Sequence, residues 1–193
     1  MDDFILLYGN IERIILLKKV VCLVNPEVCF NNLEIIRHAA CAIAILGAKN
    51  ITLHPNNINR EDEAQKEALK NLEYFTGMYK DDIVFCIETF EGRRRVFTPD
   101  ETVAFNLPMT LDISHIRDNE KIWNLLKGYK DKILNVHLSA REGSNQHLPI
   151  DDFCKEVVSY LVETKWEGNV ILEYLFEFHD QMLSDLKILK AME

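Results

Sequence analysis

No glycine-rich turn leads from a strand into a helix anywhere in this sequence, so neither a dinucleotide fold nor a phosphate-cradling loop of the P-loop kind is signalled. Paired cysteines are also missing. The five present, Cys22, Cys29, Cys41, Cys86 and Cys154, are odd in number and scattered, with no C-x-x-C motif. Most lie inside apolar runs, which excludes a disulfide frame or zinc knuckle and reads as packed, reduced thiols of a cytoplasmic protein. Positive charge is scarce, with 22 Lys and Arg against 31 Asp and Glu and a net charge of −9. Gripping a phosphodiester backbone needs a concentrated basic surface, so the balance argues against a nucleic-acid partner. The longest apolar stretch, around Ala39 to Ala48, falls well short of the ~20 residues that span a bilayer. Glu12, Arg13, Lys18 and Lys19 interrupt the N-terminal apolar clusters, unlike a signal peptide, so no membrane association is expected. What remains is 193 residues, 48% hydrophobic, 27% charged and 9% aromatic: enough for one domain over residues 1–193 with a real core.

From residue 31 the chain alternates between helical and strand patterns. Asn31 and Asn32 can cap a helix whose apolar residues Leu33, Ile36, Ala40, Ile43 and Leu46 recur at steps of three and four, up to Gly47. A strand at 51–53 precedes a helix at 61–79, and a strand at 83–87 precedes a helix opened by Thr98-Pro99-Asp100-Glu101. Strands at 107–111, 132–138 and 170–172 each lead into a helix, at 119–128, at 150–164 and from about 180. Earlier still, 19–24 reads as a strand, 4–8 as another, and 11–17 as a short helix between them. Strands that each precede a helix imply parallel pairing through right-handed crossovers. The fold class expected is a parallel (β/α) barrel of the TIM type, short at its N-terminal end, because a closed barrel ordinarily takes ~250 residues. An open doubly wound sheet is the alternative.

The polar residues directly after the apolar strands are His54, Glu88, Asp112, His137 and Glu173. In a parallel sheet all carboxyl ends share one edge, and in a barrel they ring one mouth. Residues far apart in sequence therefore converge, and every one of these types binds metal. Any single acid or histidine at a strand end is more often a helix cap or packing residue; the coincidence of five favours a shared site. Glu88, Asp112 and Glu173 with His137 make a hard, mostly carboxylate donor set. It suits one divalent ion, Mn²⁺, Mg²⁺ or Co²⁺, and tolerates Zn²⁺. Two glutamates flanking one substrate can also pass a proton across it.

These residues sit in stretches that resemble the xylose isomerase-like α/β barrels, a superfamily of sugar isomerases and epimerases that also holds endonuclease IV-type DNA repair enzymes. The stretches are Ile51-Thr52-Leu53-His54-Pro55, Cys86-Ile87-Glu88-Thr89, Leu111-Asp112-Ile113-Ser114-His115, Val136-His137-Leu138-Ser139, Gln146-His147-Leu148-Pro149, and Trp166 through Glu173. They occur in the family's order over roughly residues 30 to 190. The resemblance implies a metal on Glu88, Asp112, His137 and Glu173, with Glu88 and Glu173 also shuttling a proton between neighbouring substrate carbons. It implies that His115 binds a substrate oxygen and that His54 and His147 line the same mouth. Arg141, on the loop after His137, reads as a hand for a phosphate or carboxylate, with a solvated loop charge as the competing reading.

The sequence also departs from the family. Residues 20–25 contain no histidine, and the Asp-x-His element of the nuclease branch is Asn145-Gln146-His147 here, which leaves two of three zinc sites incomplete. The expectation is therefore a divalent-metal-dependent isomerase or epimerase acting on a small sugar, sugar phosphate or hydroxy acid. An abasic-site endonuclease, or a degenerate barrel that binds a ligand or a partner chain without chemistry, competes with it. A homo-oligomer would cover the sheet edge of an unclosed barrel. Arg93-Arg94-Arg95 reads as a solvated loop, and Trp123, Tyr74, Phe75 and Phe153 read as core aromatics.

Overall fold

A run of parallel strands, each followed by a helix, carries the chain from residue 50 to its last helix. The computed structural model describes residues 15–16, 49–53, 62–79, 83–91 and 97–192. In chain order the elements are β1 (Ile15–Leu16), β2 (Asn50–Leu53), α1 (Asp62–Met78), β3 (Val84–Glu88), α2 (Pro99–Ala104) and β4 (Met109–Asp112). They continue with α3 (Asn119–Tyr129), β5 (Ile133–Leu138), β6 (Ala140–Glu142), β7 (Asn145–Leu148), α4 (Asp152–Glu163), β8 (Asn169–Leu172) and α5 (His179–Lys190). One sheet has the order β1-β2-β3-β4-β5-β8, and β6 and β7 form a separate hairpin. Every pairing in the six-stranded sheet is parallel. Spatial order follows sequence order, without the reversal that a doubly wound sheet has at its switch point. This is the winding of a (β/α) barrel, with six of the usual eight strands among the described residues.

Two readings of the sequence change here. Residues 11–17 were expected to be a helix, but Ile15–Leu16 is a strand paired in parallel with Ile51 and Thr52. A two-residue strand has no period of its own, so only its neighbour reveals it. Tyr74, expected in the core, is 55% exposed on α1. The strands expected at 4–8 and 19–24, the helix at 33–46, His54 and Arg93-Arg94-Arg95 lie outside the described residues.

The helices start where the sequence provides caps. At α2, Thr98 Oγ1 accepts from Glu101 N at 3.3 Å, and Glu101 Oε2 accepts from Thr98 N at 2.9 Å, a reciprocal box reinforced by Pro99. Asp118 accepts from Glu120 N at α3, and Asp151 from Cys154 N at α4. Each such cap contributes about 1 kcal/mol. Ahead of β8, a Cβ on Gly168 would lie 2.0 Å from the Trp166 ring, whose Nε1 donates to Ile133 O at 3.1 Å. Glycine at 168 leaves room for the indole at the turn that leads into β8.

Alternation along the strands sorts the side chains onto two faces. Met109, Leu111, Ile133, Val136, Leu138 and Leu172 pack against Ile122, Leu125 and Leu126 of α3, Val157, Val158 and Leu161 of α4, and Met182 and Leu189 of α5. Burying each such side chain contributes about 1.5–3 kcal/mol. Trp123 joins α3 to α4 by edge contacts with Phe153 and Tyr160. The other face carries a polar layer. Thr52 Oγ1 lies 2.8 Å from Thr110 Oγ1, Asn135 Nδ2 donates to Thr110 Oγ1 at 3.1 Å, and Asn169 Nδ2 donates to Asn135 Oδ1 at 3.1 Å. Cys86 completes this layer, its thiol pushed up to about 12 by burial and so kept from the thiolate form that binds metals. Two residues further along the same strands stand Glu88, Asp112 and His137.

Candidate metal centre

Asp112 ends β4 and caps the single 3-10 turn that follows, 113–115. Its Oδ1 accepts from Ser114 N at 2.8 Å, Ser114 Oγ at 2.8 Å and His115 N at 3.2 Å. Three donors saturate that oxygen and fix the carboxylate. Oδ2 is buried and makes no hydrogen bond, although His115 Nδ1 lies 3.3 Å from it. The backbone at 112 is held as well, since Asp112 N donates to Thr89 Oγ1 at 3.0 Å.

His137, fully buried on β5, is where the cluster meets. Its Nδ1 lies 2.7 Å from Glu173 Oε2, 3.1 Å from Glu88 Oε1 and 3.9 Å from Asp112 Oδ2. One ligand atom from each of Glu88, Asp112, His137 and Glu173 lies within 4.8 Å of the other three, and all four residues are buried. A second group, Asp112, His115 and His147, meets the same distance condition beside it.

Three carboxyl groups packed together out of water repel one another. Burial, then the charges of Glu88 and Glu173, hold Asp112 well above the usual carboxylate range, against the opposing pull of His137 and Ser114. Burial alone would depress His137, but hydrogen bonds to Glu173 and Glu88, with their charge, raise it well above the usual imidazole range. Both shifts express a demand for positive charge at one point. Ligands about 2.0–2.2 Å from a shared divalent ion lie roughly 3–4 Å apart. The contacts of His137 Nδ1 to Glu88 and Asp112 fall in that range, and the 2.7 Å contact to Glu173 is shorter, as a hydrogen bond is. The donor set, its burial and the unused Asp112 Oδ2 together fit such an ion.

The histidines at the mouth pack ring against ring with Phe90. His115 lies on Phe90 with centroids 3.9 Å apart, and meets the His147 ring edge-on at 5.0 Å. His147 has a φ of 58°, a left-handed backbone uncommon outside glycine. It is held there: its carbonyl accepts from Leu175 N at 2.9 Å, and its Nδ1 lies 3.5 Å from both Ser114 Oγ and Ser139 Oγ.

The residues singled out in the sequence separate into three groups. Glu88, Asp112, His137 and Glu173 come together, and His115 and His147 adjoin them. Arg141 is bound into the protein, donating to Gly143 O at 2.9 Å and Ser114 O at 3.0 Å. His54 lies outside the described residues. Thr89, Phe90, Ser114 and Ser139 complete the site and were not anticipated. Extending the strand-end rule by two residues would have found Phe90, Ser114 and Ser139.

No protein-family model and no curated protein matches the chain. Among solved structures, a "D-tagatose 3-epimerase-like protein" superposes with a TM-score of 0.74 at 20% identity, over 95% of this chain and 77% of that one. An "IOLI protein with a binding zinc atom" gives 0.61 at 14% identity, over 87% of this chain and 70% of that one. A "xylose isomerase domain containing protein" from Salmonella typhimurium LT2 gives 0.60 at 16% identity, over 89% and 69%. The class defined is an α/β barrel. Within that class, the chain shares the fold of these three structures. Among the described residues, no helix is long and apolar enough to cross a membrane.

Proposed function

We propose that this protein is a divalent-metal-dependent isomerase or epimerase acting on a small sugar, sugar phosphate or hydroxy acid. The observation that carries this reading is the convergence of Glu88, Asp112, His137 and Glu173 within 4.8 Å in a buried cluster. Those four would hold Mn²⁺, Mg²⁺, Co²⁺ or Zn²⁺, and the ion would polarise the substrate's hydroxyl and carbonyl oxygens and acidify the proton to be moved. Glu88 and Glu173 serve as base and acid. A carboxylate has two oxygens, so each glutamate can keep one in the cluster and exchange a proton at the other. Asp112, its Oδ1 saturated, is a ligand and orienting group. His115 and His147 recognise substrate oxygens, and burial of the quartet keeps bulk water from quenching a carbanion-like species. The fold shared with an epimerase-like and a zinc-binding protein supports the reading.

Metal analysis of the purified chain, followed by incubation with small ketoses in D₂O, tests it. One ion per chain and deuterium appearing at a substrate carbon are expected. Glu88→Gln and Glu173→Gln should each abolish exchange, and Asp112→Ala and His137→Ala should strip the ion. Retention of the ion by all four variants would show that the quartet is not the site. The Asp112, His115 and His147 group favours a second, multi-zinc reading; several ions per chain with nicking of an abasic duplex would select it.

A further inference from the structure

We infer that Arg141 is a positioning residue for Asp112, acting through the peptide that joins Ser114 to His115. The inference rests on the quartet being a metal centre. Arg141 stands in the middle of β6, and its guanidinium reaches across to the 3-10 turn, where Nη1 donates to Ser114 O at 3.0 Å. Gln146, on β7, donates to the same oxygen at 3.3 Å. Ser114 O and His115 N belong to one peptide unit, and His115 N donates to Asp112 Oδ1 at 3.2 Å. A cationic donor on a carbonyl oxygen polarises the whole amide, so the N–H at its other end becomes a stronger donor. The positive charge of Arg141 is thereby delivered to Asp112 Oδ1 without a direct contact.

The consequence is geometric as well as electrostatic. Oδ1 is held by Ser114 N, Ser114 Oγ and His115 N, so the carboxylate cannot rotate and Oδ2 stays 3.9 Å from His137 Nδ1. The same turn carries His115, and a shift of the Ser114–His115 peptide would move both groups together. Arg141 is pre-organised for this task. Its Nε is tied to Gly143 O at 2.9 Å, at a turn where Gly143 has a φ of 60°. A guanidinium that donates to two carbonyls supports the turn. Groups that hydrogen-bond a metal ligand directly are typically worth roughly 10–100-fold in metal affinity, and Arg141, one peptide further out, is expected at or below the lower end of that range.

The test uses Co²⁺ alone as the probe, read from its visible d–d absorption and from competition with a chelator. Wild type is expected to bind one Co²⁺. Arg141→Met should weaken binding by several-fold, up to about tenfold, and shift the d–d bands, because the ligand field at Asp112 changes. Arg141→Lys, able to reach only one of the two carbonyls, should restore part of the affinity, and Gln146→Leu should weaken it by less than Arg141→Met. A purely structural role would lower the melting temperature of the metal-free protein and leave the Co²⁺ spectrum unchanged. Unchanged affinity and spectrum in Arg141→Met overturn the inference, as does a rise in KM for anionic substrates alone. Should that variant fail to fold, unchanged affinity in both Arg141→Lys and Gln146→Leu overturns it. Wild type that binds no Co²⁺ overturns the metal-centre reading, and this inference with it.

Discussion

At the scale of single residues, much of the chemistry is set by what burial does to a proton. Cys154, the third residue of α4, is buried against the sheet, and burial pushes its thiol from 9.0 up to about 12. A folded-state pKa raised above the unfolded value gives stability that is complete below pH 9 and lost as pH rises toward 12. The unfolded chain ionises first and is favoured by it. The slope from one such thiol is at most about 1.4 kcal/mol per pH unit. Urea denaturation of metal-free protein at pH 8 and pH 10.5 should therefore show a fall in stability that Cys154→Ala makes shallower. An unchanged pH slope in the variant would assign the loss elsewhere. The same scale shows what the sequence displays and what it conceals. Glu88, Asp112, His137 and Glu173 are legible because each follows an apolar strand, and a barrel gathers strand ends. The hydrogen bond from Arg141 to Ser114 is not legible, because 27 residues and a hairpin separate the two.

At the scale of elements, the turn from α4 into β8 determines where Glu173 stands. Gly168→Ala would place a methyl group 2.0 Å from the Trp166 ring and force the indole away from Ile133 O. Overpacking of this kind costs roughly 1–3 kcal/mol. Chemical denaturation should show that loss, accompanied by a change in tryptophan fluorescence; a neutral variant would mean that the ring has room to move. The central and C-terminal elements were readable because their patterns are long. The Thr98-Pro99 start of α2 announces itself, and the apolar stripe of α4 extends over three turns. β1 was not readable: Ile15–Leu16 has two residues, and its strand character comes from pairing with Ile51 and Thr52. The hairpin of β6 and β7 was missed for a different reason. Its residues, Ala140-Arg141-Glu142 and Asn145-Gln146-His147-Leu148, are mostly polar, and the β-propensity of such a sequence is too weak to stand out from a loop.

For the whole molecule, the proposed ligands stand on β3, β4, β5 and just after β8, so an ion held by all four would fasten the sheet. The unfolded chain holds no preformed site, so binding energy becomes folding energy. At a free ion concentration 100 times Kd the folded state gains about 2.7 kcal/mol. For a chain of this size that is a rise in Tm of roughly 5–10 °C. Differential scanning calorimetry with and without chelator should show it, and His137→Ala should abolish it. Equal melting temperatures in wild type would remove the metal from the folded protein's description. The repeated strand-then-helix order made parallel pairing legible, but only the spatial order of the strands, which follows the chain without reversal, separates a barrel from a doubly wound sheet.

Among the described residues, the hairpin of β6 and β7 pairs only with itself and takes no place in the six-stranded sheet. Its tip is therefore an exchangeable cassette. Residues 142–145 can be lengthened or grafted with the barrel's register untouched, provided that Arg141 and Gln146 keep their hold on Ser114 and that the carbonyl of residue 143 still meets Arg141.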